Sequence, residues 1–281
     1  MLNLMIVGLG LIGGSFAKAL RDFPDIKVWG VDTNKETLEK AQKDGVIYKG
    51  VTDAGEVLDK MDVVILCINP SSCVNFINSG RFKQGAVVTD VCGVKGYIYD
   101  NIKNKNIDFI GGHPMAGREC GGYESSLEDL YKGTNYILVT NSDNKKENIL
   151  FLEKIIYHIG CAKITYTTPD EHDRMIGYTS QLMHVVAAAL CDNEILDRAE
   201  RFSAGSLRDC TRVAKLNPDM WTELFLENKD ALSEQIDVFT KSLNEIGNMI
   251  KKADEDGIRS FLKRSSERKI RYLKEKARKR G

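Results

Sequence analysis

Three glycines near the start of the chain are spaced for binding a pyrophosphate. Gly8, Gly10 and Gly13 follow an apolar run, residues 4–7, and lead into an amphipathic segment. In such a turn the first glycine makes a tight bend out of a strand. The second lets backbone N–H groups approach the phosphates, and the third lets a helix pack close to the sheet. The spacing therefore predicts a dinucleotide-binding turn, although glycines in this pattern also occur at ordinary strand-to-helix turns.

The residues around these glycines indicate which dinucleotide binds. A helix that begins at Leu11 and Ile12 presents unpaired N–H groups, and its dipole favours an anion. Asp32 closes the next apolar run, residues 26–31, and lies 24 residues after Gly8. Its carboxylate can accept hydrogen bonds from a ribose hydroxyl and repels a 2′-phosphate, so the cofactor is predicted to be NAD rather than NADP. The alternative is that Asp32 caps the helix predicted over residues 34–43.

A histidine between glycines and a proline is the predicted catalytic base. His113 lies in a glycine-rich segment, residues 111–117, and is followed by Pro114. Because Pro114 restricts His113 to an extended conformation, the segment exposes an imidazole on a defined backbone at a strand end. A free imidazole has a pKa of about 6.5, which suits removal of a proton from a hydroxyl at neutral pH. A structural histidine is the alternative.

Two polar stripes in the second half of the chain are predicted to bind the substrate. Ser180 and His184 share a helix face with Gly177, which indicates a ligand cleft unless His184 is a buried histidine bonded to a backbone carbonyl. Arg208 and Arg212 are four residues apart, and guanidinium groups on one helix face suit bidentate capture of carboxylates. The acids with which the arginines could pair instead are Asp209, Glu223 and Glu227.

Short apolar runs alternate with helical patterns from residue 1 to about residue 167. The runs typical of strands are residues 4–7, 26–31, 63–68, 86–91, 109–111 and 136–139. Several are apolar at consecutive positions, as in parallel strands buried on both faces, so the pattern predicts a Rossmann-type doubly wound α/β sheet. Ligands of such sheets bind at the carboxyl ends of the strands, where Gly8, Asn69, Asp90 and His113 fall. Asn69 and Asp90 are therefore predicted to contact the cofactor.

The strand pattern stops after residue 167, and the rest of the chain is predicted to be helical. We expect a dinucleotide-binding domain over residues 1–167 and an all-α domain for substrate binding and dimerisation over residues 168–281. Asn217, Pro218 and Asp219 are typical of a helix start. Apolar residues then recur at alternating steps of four and three: Leu232, Ile236, Phe239, Leu243, Ile246 and Ile250. This seam predicts a homodimer, or alternatively the core of an internal bundle.

Composition narrows the range of partners. The 40 basic and 40 acidic residues cancel, so the chain is predicted to bind a small molecule rather than nucleic acid or a membrane. The seven cysteines have no paired spacing, which is typical of reduced thiols. No leader or long apolar segment is evident either, so the protein is expected to be cytoplasmic. The histidines and acids show no metal-ligand spacing, and His158 and His172 are assigned no role. The basic segment 263–280 is predicted to be a solvated helix or a frayed tail, and an anion-binding role is the alternative.

With these features in place, the chain resembles the prephenate dehydrogenase family, the monofunctional enzymes of tyrosine biosynthesis, along nearly its whole length. The matching segments are residues 7–15, 89–95, 112–117, 180–184 and 207–212, with Trp221, Phe225 and Asn228. The resemblance implies oxidative decarboxylation of prephenate by NAD, giving 4-hydroxyphenylpyruvate, CO₂ and NADH. It also implies that His113 withdraws the proton of the ring hydroxyl, that Arg212 pairs with a substrate carboxylate, and that Ser180 and His184 line the substrate pocket.

Three positions depart from the pattern of this family. Many members have a serine at the position of Gly93 whose hydroxyl is thought to orient the catalytic histidine, so another group, such as a water or a backbone group, must orient His113. Members often have a histidine in place of Gln181 and a small polar residue in place of Arg118. Arg118 should attract an anionic substrate and disfavour the ammonium group of arogenate, although Glu119 beside it partly offsets this. Arogenate dehydrogenase activity, which gives tyrosine directly, is the alternative function.

Overall fold

The structure is a computed structural model that describes residues 1–278, apart from the side chain of Lys276. These residues form two compact units, the first spanning Met1–Lys229 and the second beginning at Asp230. Lys279 and Arg280, the end of the predicted basic tail, lie outside the described residues.

A six-stranded parallel sheet forms the centre of the first unit, with the strand order β3-β2-β1-β4-β5-β6. Its strands are β1 (Leu2–Val7), β2 (Ile26–Val31), β3 (Lys49–Val51), β4 (Val63–Leu66), β5 (Ala86–Asp90) and β6 (Ile107–Phe109). The connecting helices are α1 (Leu11–Ala19), α2 (Lys35–Lys43), α3 (Pro70–Ser79) and α4 (Gly96–Asn101). The predicted Rossmann-type α/β sheet is confirmed.

Consecutive apolar residues in these strands serve two separate cores. In β1, Leu4 and Ile6 pack into one buried cluster, whereas Met5 and Val7 pack into another. Successive side chains of a strand point to opposite faces of the sheet, so a strand covered on both faces must be apolar at every position.

A smaller three-stranded sheet follows, with the order β7-β8-β9. Its strands are β7 (Gly111–Pro114), β8 (Asn135–Val139) and β9 (Lys163–Thr167), and α5 (Lys146–His158) precedes β9. β7 is antiparallel to β8, whereas β8 and β9 are parallel. The prediction of one strand over residues 109–111 was wrong, because Ile110 separates β6 from β7 at the point where the chain leaves the large sheet. His113 accordingly lies inside β7, paired with Ile137, rather than beyond a strand end.

The chain is helical after β9, which confirms the predicted all-α C-terminal region. The first unit continues with α6 (Pro169–Ile176), a π-helical turn (Gly177–Gln181), α7 (Leu182–Cys191), α8 (Gly205–Thr211) and α9 (Pro218–Glu227). Thr168 caps α6 by accepting from the N–H of Glu171, and Asn217 caps α9 by accepting from the N–H of Met220. The π-helical turn shifts the register between α6 and α7, a distortion that often occurs at functional sites.

Two long helices, α10 (Lys229–Lys251) and α11 (Glu255–Arg278), make up the rest of the described chain. The predicted seam lies on α10, and two of its apolar side chains, Leu243 and Ile250, are 58% and 62% exposed in the single chain. Within residues 1–278, no helix combines the length and apolar character needed to span a membrane.

Candidate active site

The glycine-rich turn joins β1 to α1 and has the geometry that a pyrophosphate needs. Gly8 has a φ of +86°, a conformation that favours glycine. A Cβ atom on Gly13 would lie 1.9 Å from the carbonyl oxygen of Gly8, so only glycine permits this close packing of α1. A Cβ atom on Gly10 would meet nothing within 4 Å, which leaves the N-terminus of α1 at Leu11 and Ile12 open to a ligand.

Asp32 lies at the end of β2, directly beside this turn. Its carboxylate accepts hydrogen bonds from the N–H groups of Leu9 (2.8 Å) and Asn34 (2.9 Å). Asn34, not Asp32, caps α2, so the alternative interpretation of Asp32 as a helix cap was wrong. Asp32 and Gly8 line a cavity of about 740 Å³ at the carboxyl ends of β1, β2 and β4. The turn, the helix N-terminus and this acid together fit an adenine dinucleotide.

Asp90 differs from its sequence prediction, because its carboxylate is fully buried. It forms an ion pair with Lys95, which is also fully buried, and accepts from the N–H groups of Cys92 (2.9 Å) and Gly112 (3.1 Å). The predicted contact between this carboxylate and the cofactor has no support in the structure. The side chain instead holds the start of β7 next to β5 and so fixes the strand that carries His113.

His113 is oriented by a second histidine, which sequence reasoning had assigned no role. Nδ1 of His113 lies 2.9 Å from Nε2 of His172, and Nδ1 of His172 lies 2.7 Å from Oδ1 of Asp173. The carboxylate of Asp173 is itself fixed by the N–H groups of Lys95 (2.8 Å) and Gly96 (2.7 Å). These three side chains form a continuous hydrogen-bonded chain, which we call the histidine relay.

The histidine relay determines which ring nitrogen of His113 can act as a base. A carboxylate only accepts hydrogen bonds, so His172 donates from Nδ1 to Asp173 and its Nε2 carries a lone pair. His113 must then donate from Nδ1 to that lone pair, which leaves its own Nε2 as the acceptor. Burial lowers the pKa of His113 well below its usual value, and electrostatic interactions with His172 and Lys95 add to this effect. His113 is therefore neutral, with a basic Nε2, at physiological pH.

Gly93 lies beside the ring of His113, as its place in the sequence pattern implied. A Cβ atom on Gly93 would lie 3.8 Å from Cε1 of His113 and 3.8 Å from Cδ2 of Leu224, which is ordinary contact. The expectation that a water or a backbone group orients the histidine is replaced by the contact with His172. The one signal in the sequence was that a second histidine, His172, lies eight residues before Ser180 in the segment predicted to be helical.

Two of the predicted substrate residues, Ser180 and His184, contact each other beside Trp221. The rings of His184 and Trp221 stack with their centroids 3.8 Å apart, and Nδ1 of His184 lies 2.9 Å from the carbonyl oxygen of Ser180. His184 is half-buried, so the bond to a backbone carbonyl, which was the alternative interpretation, is present, and its role in lining a substrate cleft stays a prediction. Burial lowers the pKa of His184, and the charge of Arg212 acts in the same direction.

The two candidate arginines have different surroundings. Arg212 forms an ion pair with Glu119, and its charge acts on His184. Arg208 is exposed and pairs with its neighbour Asp209 at 3.2 Å. Arg212 is therefore the arginine that the structure brings to the predicted pocket, whereas Arg208 is not brought there by any contact that it makes in this structure.

Comparisons with known proteins agree with this geometry. Residues 16–165 match the family model described as prephenate dehydrogenase, nucleotide-binding domain, and residues 168–264 match the model described as prephenate dehydrogenase, dimerization domain. The chain belongs to the prephenate dehydrogenase family. The resemblance identified from the sequence is confirmed, and the chain is an oxidoreductase of this family.

Solved structures of prephenate dehydrogenase family members resemble the chain over nearly its full length. One is a prephenate dehydrogenase from Aquifex aeolicus in complex with hydroxyphenyl propionate and NAD+, which is 34% identical in sequence and has a TM-score of 0.83. The alignment covers 97% of this chain and 98% of the Aquifex chain. A Synechocystis arogenate dehydrogenase is 26% identical with a TM-score of 0.82, covering 96% and 100%. A curated prephenate dehydrogenase from Lactococcus lactis is 30% identical over 98% of this chain and 78% of its own length.

Proposed function

We propose that the chain catalyses the oxidative decarboxylation of prephenate by NAD, giving 4-hydroxyphenylpyruvate, CO₂ and NADH, in tyrosine biosynthesis. The observation that carries this proposal is the histidine relay, which leaves Nε2 of His113 as a neutral base. A steady-state assay of NADH formation with prephenate or arogenate, each with NAD or NADP, tests it. We expect the highest kcat/KM for prephenate with NAD, and no turnover of either substrate would refute the proposal.

The residues of the chain divide the work of this reaction. When bound, NAD supplies the acceptor for the hydride of the ring carbon that bears the hydroxyl. Nε2 of His113 takes the hydroxyl proton as the hydride leaves, and the electrons of the breaking bond to the ring carboxylate enter the ring as CO₂ leaves. The proton then returns to the ring oxygen, which becomes the phenol hydroxyl of the product. The histidine relay keeps Nδ1 of His113 protonated and stabilises the imidazolium that forms, in the way that a carboxylate supports a catalytic histidine in hydrolases.

We assign binding roles to the residues that surround this base. Gly8, Gly10 and Gly13 accommodate the pyrophosphate at Leu11 and Ile12, and Asp32 binds the ribose. The other proposed contacts are Asn69 at the start of α3, and Ser180, His184 and Arg212 on the substrate side. Arg212 must exchange Glu119 for a substrate carboxylate, and a bidentate pair of this kind fixes orientation as well as charge.

Arogenate dehydrogenase activity is a second candidate, and one contact favours it. Glu119 is held at the predicted pocket by Arg212, and a carboxylate in that place can bind the ammonium group that distinguishes arogenate from prephenate. Arg118 is exposed and donates weakly to the carbonyl oxygen of Ser125 at 3.4 Å, so its cation remains available to an anionic substrate. We place prephenate first because Arg118 opposes the ammonium group.

Replacing Asp32 with Asn is expected to relax the preference for NAD. The KM for NAD should rise about tenfold, because a ribose hydroxyl loses a charged acceptor. The kcat/KM for NADP should rise, because Arg81 lines the same cavity and can then pair with a 2′-phosphate. Steady-state kinetics with both cofactors measures this, and the exposed Asp59→Asn variant is the matched control. An unchanged ratio of the two cofactors' kcat/KM values would remove Asp32 from the binding site.

We also propose that the chain is a cytoplasmic homodimer that assembles through its helical region, from residue 168 onward. The exposed apolar seam on α10 and the matching dimerization-domain model support this. Leu243→Asp should produce monomers, because twofold symmetry buries two unpaired carboxylates in one interface. Light scattering measures the mass. The control, Asn244→Asp, adds the same charge at an exposed position one residue away and should leave the mass unchanged. A dimer that survives Leu243→Asp contradicts this seam.

A further inference from the structure

A glutamate on α9 caps a helix that belongs to the cofactor side of the molecule. Oε1 of Glu223 accepts from the N–H of Ser71 (2.8 Å), and Oε2 accepts from the side-chain amide of Asn69 (2.6 Å). Asn69 is the N-cap residue of α3, but its side chain makes no capping hydrogen bond. Glu223 therefore does the capping from another part of the chain, and it fixes the amide of a residue that we assign to the cofactor site.

A second glutamate lies one turn further along the same helix. Glu227 is half-buried, and within residues 1–278 its Oε2 is the one buried side-chain oxygen or nitrogen that lacks a hydrogen-bond partner. A carboxylate oxygen in that position would carry an uncompensated buried charge, whereas a neutral carboxylic acid costs far less. The geometry thus favours a protonated Glu227.

The groups that face Glu227 act in the same direction. Burial raises the pKa of Glu227 to about 8, together with the charge of Glu223, a hydrogen bond to Glu223 and the charge of Asp173 on α6. Tyr97 on α4 also faces the pair, and burial followed by the charges of both glutamates raises its own pKa. Burial alone would raise the pKa of Glu223, but the hydrogen bonds from Ser71 and Asn69 lower it below its ordinary value. One proton is therefore shared by the two carboxyl groups at neutral pH.

The end of α9 is joined to the histidine relay. Asn228 donates to the carbonyl oxygen of Asp173 (3.0 Å) and to the side-chain oxygen of Gln181 (2.6 Å). The side-chain amide of Gln181 in turn donates to the carbonyl oxygen of Leu224 (3.1 Å). α9 therefore touches the relay at its C-terminus and the start of α3 at its middle, so a shift of α9 would disturb both.

We propose that Glu223 is a positioning residue for the cofactor, which holds Asn69 and the first turn of α3 only while Glu227 carries a proton. This inference rests on the proposed function, because that function assigns Asn69 to the cofactor site. When Glu227 loses its proton, two carboxylates one turn apart on α9 repel each other, and the repulsion is relieved when the side chain of Glu223 turns away from Glu227 into water. That movement breaks the two hydrogen bonds of Glu223 and lowers the affinity for the cofactor.

The proposal is tested by titrating the full-length protein with NADH and measuring the Kd by fluorescence at pH values between about 6.5 and about 9.5. The Kd of the wild type should rise about tenfold through the pKa of Glu227, which is about 8. Glu227→Gln should bind as the wild type does at neutral pH and show no alkaline rise, because its amide N–H replaces the carboxyl proton. Glu223→Gln should bind weakly at every pH. Asp219→Asn removes one exposed charge from the same helix and should keep the wild-type profile.

Thermal unfolding of the free protein gives a readout that needs neither cofactor nor turnover. An acid whose pKa is raised on folding binds more protons in the folded state, so its contribution to stability falls as the pH rises from the unfolded pKa, about 4.5, towards about 8. Gln has no proton to lose. The Tm of Glu227→Gln should therefore match the wild type at about pH 5 and exceed it at about pH 9.

The outcomes separate this inference from the proposed function. An alkaline rise in Kd that persists in Glu227→Gln, or an unchanged Kd in Glu223→Gln, overturns the inference while prephenate turnover by the wild type leaves the proposed function intact. A wild type that binds no NADH at any pH contradicts the proposed function, and this inference with it.

Discussion

His113→Asn should lower kcat by about 10³- to 10⁴-fold, the largest effect we expect of any single substitution outside the glycine turn. The variant loses the basic Nε2 but keeps a side chain of similar polarity in β7, so binding of NADH should change little. Steady-state kinetics and an NADH titration measure the two quantities. His158→Asn is the matched control, since His158 is exposed on α5 and makes only an edge-to-face contact with Phe23 among the ring contacts described. Activity within a few-fold of the wild type in His113→Asn would show that another group takes the proton.

The pH profile provides a second measure of the same base. The reaction needs neutral His113, and burial lowers the pKa of this histidine well below its usual value. Activity should therefore persist below about pH 6.5, where an ordinary histidine is already half-protonated, and decline only at more acidic pH. The pKa of a free imidazole would place this decline near pH ~6.5, and the buried environment moves it to lower pH. An acid limb at or above about pH 6.5 would contradict the described environment.

His172→Phe should lower kcat by about 10²-fold or more while the Kd for NADH is unchanged. Phenylalanine fills a similar volume but cannot accept from Nδ1 of His113, so the catalytic ring loses its fixed tautomer and orientation. His172→Gln should recover part of the rate, because its amide oxygen can accept the same hydrogen bond. A partial recovery of kcat in His172→Gln indicates a positioning role. A purely structural role would not produce this recovery, because it depends on packing and not on a hydrogen-bond acceptor.

Equal losses in the two His172 variants, or a loss that tracks a lower Tm, would argue that His172 only supports the fold. The adjacent Asp173 is less suitable for this test. Its carboxylate also accepts from the N–H groups of Lys95 and Gly96, so Asp173→Asn would place an NH₂ group against one of these backbone donors and disturb the backbone as well as the histidine relay.

The glycine turn and its acid were predicted well because their signals are local. The conformation of Gly8, the close packing at Gly13 and the position of Asp32 all arise within one strand–helix–strand unit, β1–α1–β2, and each is reflected in the residue type. The same holds for the cap of α9 by Asn217 and for the apolar runs of the buried strands. The break at Ile110 was missed, because a change of sheet within a continuous run leaves no local signal.

The arrangement of the catalytic centre depends on contacts between distant parts of the chain. His113 and His172 are 59 residues apart, and Arg212 and Glu119 are 93 apart. No spacing rule links such pairs, since their approach depends on how α6 and α8 pack against the loops that flank β7. For the same reason Asp90 was assigned to the cofactor, when its partners are Lys95 and the start of β7.

The sequence by itself thus determined the fold class and the family, because periodicity, turn glycines and side-chain type are properties of short segments. Only the tertiary structure decided which ring nitrogen of His113 is left free of the hydrogen bond to His172, which arginine acts on His184 and which two glutamates lie together beside α3. Hydrogen-bond direction and burial exist only once distant segments have packed together.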